Sequence, residues 1–204
     1  MDRAALKAKA KKQIHGNIGI LFLCGLVAEV LISGPNIIWR LSVAPSTDMV
    51  ISGLNIVSGV IAPAVTMGII MIYLSLTAGK IPTVGDVFNG FAIFGKAWWL
   101  SFITSLFTML WTLLLFIPGI IKGISYSMAP YVLAENPEMT ARQALNESKW
   151  ITNGSKMDLF VLDLSFLGWI LLGIASFGIA FIYIGPYISA TRANAYLSIK
   201  EKNA

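Results

Sequence analysis

The chain has 204 residues, 56% of them hydrophobic and 12% charged, with a formal net charge of +5. Soluble domains carry about 25% charged residues, so a soluble fold of this size could not cover its apolar surface, and lipid is the better solvent. A nucleic-acid partner is excluded by charge placement: Arg3, Lys7, Lys9, Lys11 and Lys12 crowd directly before the first apolar run, as in a flank resting on an anionic inner leaflet.

In chain order, the basic segment Arg3 to His15 precedes Gly16, and a first span follows from Asn17 to about Trp39. This run extends well past the ~7–15 residue core of a cleaved signal peptide. The polar loop Arg40 to Asp48, with Pro45-Ser46-Thr47, reverses the chain, and a second span runs from about Val50 to Thr77. Next, Thr83 caps a segment with Asp86 reaching back, and Val84, Val87, Phe88 and Phe91 follow helical spacing. Ala97 to Ala134 is apolar throughout. As one helix it would reach roughly 57 Å, nearly twice a ~30 Å hydrocarbon core, so it must fold back, and Pro118-Gly119 supplies the break. Asn136-Pro137-Glu138 reads as an N-cap with proline in the first turn, and Glu138 pairs with Arg142. Leu159 to Ile199 must also reverse, at Ser176-Phe177-Gly178, because a turn at Gly185-Pro186 leaves too little chain for the last crossing.

The expected fold is all-α: a polytopic membrane protein with six transmembrane helices, arranged as three pseudo-repeated hairpins with amphipathic interfacial helices. Residues 1–204 form one membrane domain, with repeats near 1–78, 79–135 and 136–204. Pro63 is followed ten residues later by Tyr73-Leu74-Ser75-Leu76, Pro186 by Tyr196-Leu197-Ser198-Ile199, and Pro130-Tyr131 matches Pro186-Tyr187. With the N-terminus inside, Lys80, Lys96, Arg142, Lys149, Lys156, Arg192, Lys200 and Lys202 join the basic flank on the inner side. Only Arg40 and Lys122 face out, so both termini are expected in the cytoplasm.

Leu6-Lys7-Ala8-Lys9-Ala10 through Gly16-Asn17, Ala144-Leu145-Asn146-Glu147-Ser148, the run Asp158 to Trp169, and Pro186-Tyr187 with Thr191 and Ala195-Tyr196 carry a resemblance. The chain resembles an uncharacterised family of bacterial, mainly Gram-positive, integral membrane proteins, domain of unknown function 975. The resemblance covers nearly the whole chain and implies six spans in the plasma membrane. It brings no activity and no catalytic residues. Arg192-Ala193-Asn194 departs from the smaller or apolar residues expected there.

Ionisable groups at mid-membrane cost about 2.5–3.5 kcal/mol. Glu29 lies ~18 Å into the first span at helical rise. It reads either as a proton, cation or polar-ligand site, or as a protonated group bonded to a neighbouring helix. Asp163 and Arg192 are placed to pair and pin the last hairpin, or to line a polar cavity opening inward. Lys122 snorkels outward. If the three repeats gather round an axis, kinks at Pro63, Pro130 and Pro186 converge on a pocket with Tyr131 and Tyr187 as hydroxyl donors; otherwise the kinks serve packing alone. Trp39, Trp98, Trp99 and Trp150 suit interfacial belts.

Cys24 and His15 each stand alone, which leaves no intrachain disulfide and no paired Cys/His metal site. No nucleophile–base set, phosphate-cradling loop or HExxH appears. No enzymatic activity, cofactor or metal is therefore expected. The expected function is binding of an amphipathic ligand or partner membrane protein, in envelope maintenance, export or immunity. The alternative is a small secondary transporter with a midplane site at Glu29 and the proline-kinked helices.

Overall fold

The computed structural model describes residues 2–42, 48–114, 116–176 and 178–203, and every regular element among them is helical. Helix α1 (Arg3–Ile14) starts at Asp2, whose carboxylate accepts the N–H groups of Ala4 and Ala5 at 3.0 and 3.1 Å. Leu6, Ala10 and Ile14, four apart, are its buried stripe. The chain then bends by 92° into α2 (Ile18–Ser42), with Gly16 at φ +88° in the break, where a side chain would be strained. Of the loop expected between Arg40 and Asp48, residues 43–47 lie outside the described residues.

Helix α3 (Asp48–Thr77) contains Pro63 and stops at Gly79, φ +81°. The amphipathic segment after it is a 3-10 helix, Val84–Ile93, running directly into α4 (Phe94–Leu114). Asp86 accepts the Thr83 N–H at 2.7 Å and the Thr83 hydroxyl at 3.0 Å, as the spacing predicts. The predicted stripe is corrected, however. With 3.0 residues per turn, Val84, Val87 and Gly90 form one row; Val87 and Gly90 are buried, whereas Phe88 and Phe91 are exposed. This row lies along α3 at backbone distance. A Cβ on Gly68 would stand 2.0 Å from the Val87 carbonyl oxygen, and one on Gly90 would stand 2.0 Å from that of Ala64. The segment is thus antiparallel to α3 and part of a continuous rod with α4, not a separate interfacial helix.

The second reversal comes earlier than Pro118-Gly119. Helix α4 ends at Leu114 and α5 (Phe116–Tyr126) begins two residues on, so Pro118 sits in the first turn of α5, where its missing N–H costs nothing. Gly119 allows the close return: a Cβ there would be 2.7 Å from the Thr112 Cα. Pro130 is corrected likewise. It opens α6 (Ala129–Glu135) and does not kink a continuous helix. Asn136 closes α6, and α7 (Ala141–Ile151) takes Thr140 as N-cap, with Gln143 completing a capping box. Glu138 therefore lies in the turn, outside the helix on which it was expected to pair with Arg142. That turn is held instead by the Lys96 ammonium, which donates to the Pro137 and Glu138 carbonyls at 2.6 and 3.2 Å.

Helices α8 (Lys156–Leu164) and α9 (Leu167–Ala175) precede the last reversal, which falls where expected. Gly178, φ +91°, donates its N–H to the Gly173 carbonyl at 3.0 Å; Phe177 lies outside the described residues. Helix α10 (Phe181–Asn203) contains Pro186. The consecutive residues Ala193, Asn194, Ala195 and Tyr196 are all buried, so this stretch of α10 is packed round most of its circumference, with Arg192 left exposed. Helices α1, α2, α3 and α7 all touch α10. At the base, Glu135 accepts from the Tyr196 hydroxyl and from the Lys200 ammonium, the latter at 2.6 Å.

Among the described residues, Asn55–Thr77, Val84–Leu113 and Lys156–Ala175 are long and apolar enough to cross a bilayer, and Arg3–Ile14 with Ile18–Gly34 adds a fourth if the bent pair is one span. Six separate crossings do not follow from these lengths. Helices α5 and α6 are each short, and half of α10 is wrapped in protein rather than lipid.

Two outcomes test this packing. Gly68→Ala should lower thermal stability in detergent by about 3 kcal/mol, the upper end for overpacking. Gly95→Ala, with open space around it, should leave stability unchanged; equal midpoints for the two variants would disprove the contact. At Glu135, burial pushes the carboxyl up, but the Lys200 and Tyr196 bonds outweigh it and hold the group below its ordinary 4.5. A depressed carboxylate stabilises the fold above its unfolded pKa and loses that contribution as pH falls through the folded value. Acidification from about pH 6 to about pH 3 should therefore bring the wild-type melting temperature down toward that of Glu135→Gln. Parallel curves for the two proteins would contradict the bond.

Candidate functional site

The sequence-predicted residues do not converge on one centre. Asp163 and Arg192 meet: the Arg192 Nε and Nη2 both donate to the Asp163 Oδ1, at 3.1 and 2.9 Å. The pair ties α8 to α10, with Arg192 about 17 Å along the helix from Asn203. Two residues beyond Asp163, the Ser165 hydroxyl accepts from the Lys7 ammonium at 2.6 Å, and Lys7 stands 4.9 Å over the Phe166 ring. The charges of α1, α8 and α10 thus gather in one neighbourhood.

Glu29 stands on the outward face of α2. On α2, Leu21, Cys24 and Ala28 face the protein, and Glu29 lies with Leu26 and Val30 on the exposed face. It is absent from the lining of the cavity that Pro63 borders, and the i+1 step from Ala28 turns it ~100° away from the buried stripe. Tyr131 and Tyr187 are also spent elsewhere. Tyr131 stacks on Tyr196 at 5.7 Å, and Tyr187 packs against Phe166, Trp169 and Tyr183 within 6 Å.

The expected convergence of prolines is met in part. Pro63 and Pro130 line one cavity of about 260 Å³, between α3, α4 and the start of α6; Pro186 is not in its wall. Thr66, Ser101, Thr104 and Ser105 provide its hydroxyls. Among the described residues, no three His, Cys, Asp or Glu side chains come together to hold a metal ion.

A second concavity was not singled out by sequence reasoning. Ile117, Ile120, Ile121 and Ile124 of α5 follow i, i+3, i+4, i+7 and form one wall of a groove of about 470 Å³. Met157 and Phe160 of α8 form the other, and among the described residues Lys156 at the start of α8 is the only charged one lining it. Ile117 and Met157 are 70% and 73% exposed, so among the described residues nothing covers this end of the groove. The stripe of isoleucines was visible in the sequence. That α8 would lie against it was not, because the pairing depends on how α7 returns the chain. Lys122, also on α5, lies 5.1 Å over the Trp111 ring.

No curated protein and no solved structure matches the chain. Residues 112–203 match the family model described as Protein of unknown function (DUF975). The motifs Ala144–Ser148, Asp158–Trp169 and Pro186–Tyr196 fall inside that stretch, and Leu6–Asn17 falls before it. The matched stretch covers α5 to α10, which carry the isoleucine wall, Lys156 and the Asp163–Arg192 pair, and over it the chain is similar to the DUF975 family of proteins of unknown function.

Proposed function

We propose that this is a non-enzymatic, multi-pass plasma-membrane protein that binds an anionic amphipathic ligand in the groove between α5 and α8. The acyl part lies along Ile117, Ile120, Ile121, Ile124, Met157 and Phe160, and the headgroup meets Lys156. One observation carries this reading: an apolar trough of about 470 Å³ on the outer surface, with a single ammonium among its described lining residues. Its volume falls in the ~300–1,000 Å³ range of ligand sites. Envelope maintenance, export or immunity are the settings such binding suits. The six-span arrangement, with both chain ends in the cytoplasm, is retained as part of the proposal, supported by the inner-side bias of the basic residues. A transporter built on Glu29 is the weaker reading, because Glu29 lies away from the cavity that Pro63 and Pro130 share.

The test is retention of lipid through purification. Wild type, Lys156→Arg and Lys156→Glu are purified from the same membranes, and bound lipids are quantified by mass spectrometry per mole of protein. One lysine near an anionic surface contributes about 1 kcal/mol. Wild type and Lys156→Arg should therefore hold about fivefold more anionic lipid than Lys156→Glu, with zwitterionic lipid unchanged. Equal anionic lipid in all three would end the proposal.

A further inference from the structure

The cavity between α3, α4 and α6 lies apart from the α5–α8 groove and differs from it in chemistry. Its wall holds the hydroxyls of Thr66, Ser101, Thr104 and Ser105 and the backbone of Gly59, with no ionisable side chain among the lining residues. Ser101, Thr104 and Ser105 stand at i, i+3 and i+4, which puts them on one side of α4. Pro63 has no N–H, so the Gly59 carbonyl one turn earlier lacks its helix donor. Thr104 differs from its neighbour Thr112 on the same helix. The Thr112 hydroxyl donates to the Thr108 carbonyl at 2.8 Å, whereas the Thr104 hydroxyl is buried and has no partner. A shallower trough shares Thr104 and Ser105 and continues the hydroxyl row to Thr108 and Thr112.

Unpaired carbonyls and hydroxyls inside a bilayer must find partners. A full charge entering this wall would meet no counter-charge and would lose its hydration, while a hydroxyl can donate to the Gly59 carbonyl and also accept from the Thr104 hydroxyl. We propose that the cavity is a second binding site, independent of the groove, for the uncharged hydroxyl group of a membrane-dissolved amphipathic molecule. Pro63 supplies the acceptor by withholding a helix donor, and α4 supplies the hydroxyl row. The kink in α3 thereby acts as binding chemistry as well as packing.

The probe is a diazirine-bearing octanol, photolysed with the purified protein in lipid bilayers and mapped by peptide mass spectrometry. Adducts should fall on the α3 and α4 segments that line the cavity. Plain octanol should compete at least about fivefold better than octanoate or octylammonium, the ratio for one neutral hydrogen bond against an unmatched charge. Thr104→Val should cut this labelling about fivefold and Thr104→Ser should preserve it. Pro63→Ala, which returns a donor to the Gly59 carbonyl and alters no hydroxyl, should cut it as well, and it decides the question if Thr104→Val does not fold. Adducts missing from these segments, wild-type labelling in both Thr104→Val and Pro63→Ala, or equal competition by charged analogues would overturn the assignment. Adducts confined to the α5–α8 groove would overturn it while leaving the proposed function standing.

Discussion

Two glycines set the geometry on which the rest depends. Gly68 and Gly90 let α3 and the 3-10 segment touch backbone to backbone, at Val87 and Ala64, where any side chain would collide. Without a driving force between apolar helices in lipid, such close approach is how dispersion and backbone polarity hold helices together. This contact joins the first third of the chain to the second. It also aims the 3-10 segment, and through it α4, back along α3. The start of α4 then stands beside Pro63 with its serine and threonine row turned toward the kink, and the hydroxyl-lined cavity follows from that placement.

The distribution of burial shows which parts meet lipid. Around the second half of α10, side chains from α1, α3, α6 and α7 interlock as in a water-soluble core: Tyr196, Ile199, Ile14, Leu133 and Leu145 are almost fully enclosed. Several polar groups there are paired, as with Glu135 and Lys200, or Ser148 and the Ser125 carbonyl at 2.7 Å, while the Asn194 Oδ1 is buried without a partner. Away from this base the helices carry large apolar side chains outward, among them Ile56, Met109, Leu113, Leu171 and Ile174. Exposed apolar area of this extent needs hydrocarbon as its solvent. The molecule is therefore a packed polar-rimmed base with thinner apolar helices rising from it. Trp98, Trp99 and Trp150 remain on the exposed surface, consistent with an interfacial belt.

How much of this was legible in the sequence depended on the range of the forces involved. Solvent class and the approximate spans are set by composition and run length, and both were readable. The turn at Gly178 was readable because a reversal at Gly185-Pro186 would leave too little chain for the last crossing. The meeting of Asp163 and Arg192 was readable because two ions in apolar helices have few other partners. What escaped was set by tertiary geometry. The segment Val84–Ile93 carries a helical pattern, but close contact with α3 winds it to three residues per turn, which reverses the roles of Gly90 and Phe91. Pro130 and Pro186 look alike in sequence, yet one opens a helix and the other lies within one, because Ser127-Met128 ends α5 first. Glu29 was placed at its depth by counting residues, but counting gives no azimuth, and the azimuth decides whether a carboxyl faces protein or lipid.

The two concavities divide polar chemistry according to what a bilayer tolerates. Charge costs least near water, and the α5–α8 groove carries its one ammonium on Lys156, at the N-terminal edge of a candidate span. Neutral oxygens can be placed deeper, because each loses only a hydrogen bond and not a hydration shell. The cavity at Pro63 sits well inside α3, fourteen residues from its end at Thr77 and so about 21 Å along the helix, and its lining holds hydroxyls and a freed carbonyl but no ion. A site that recognised an ion at that depth would need a buried counter-charge. Glu29, the carboxyl of the first span, is turned outward on α2 and does not supply one. The depth of each recess thus selects the kind of group it can hold, and the same desolvation cost that keeps ions out of the inner cavity makes its unpaired Thr104 hydroxyl a discriminating contact.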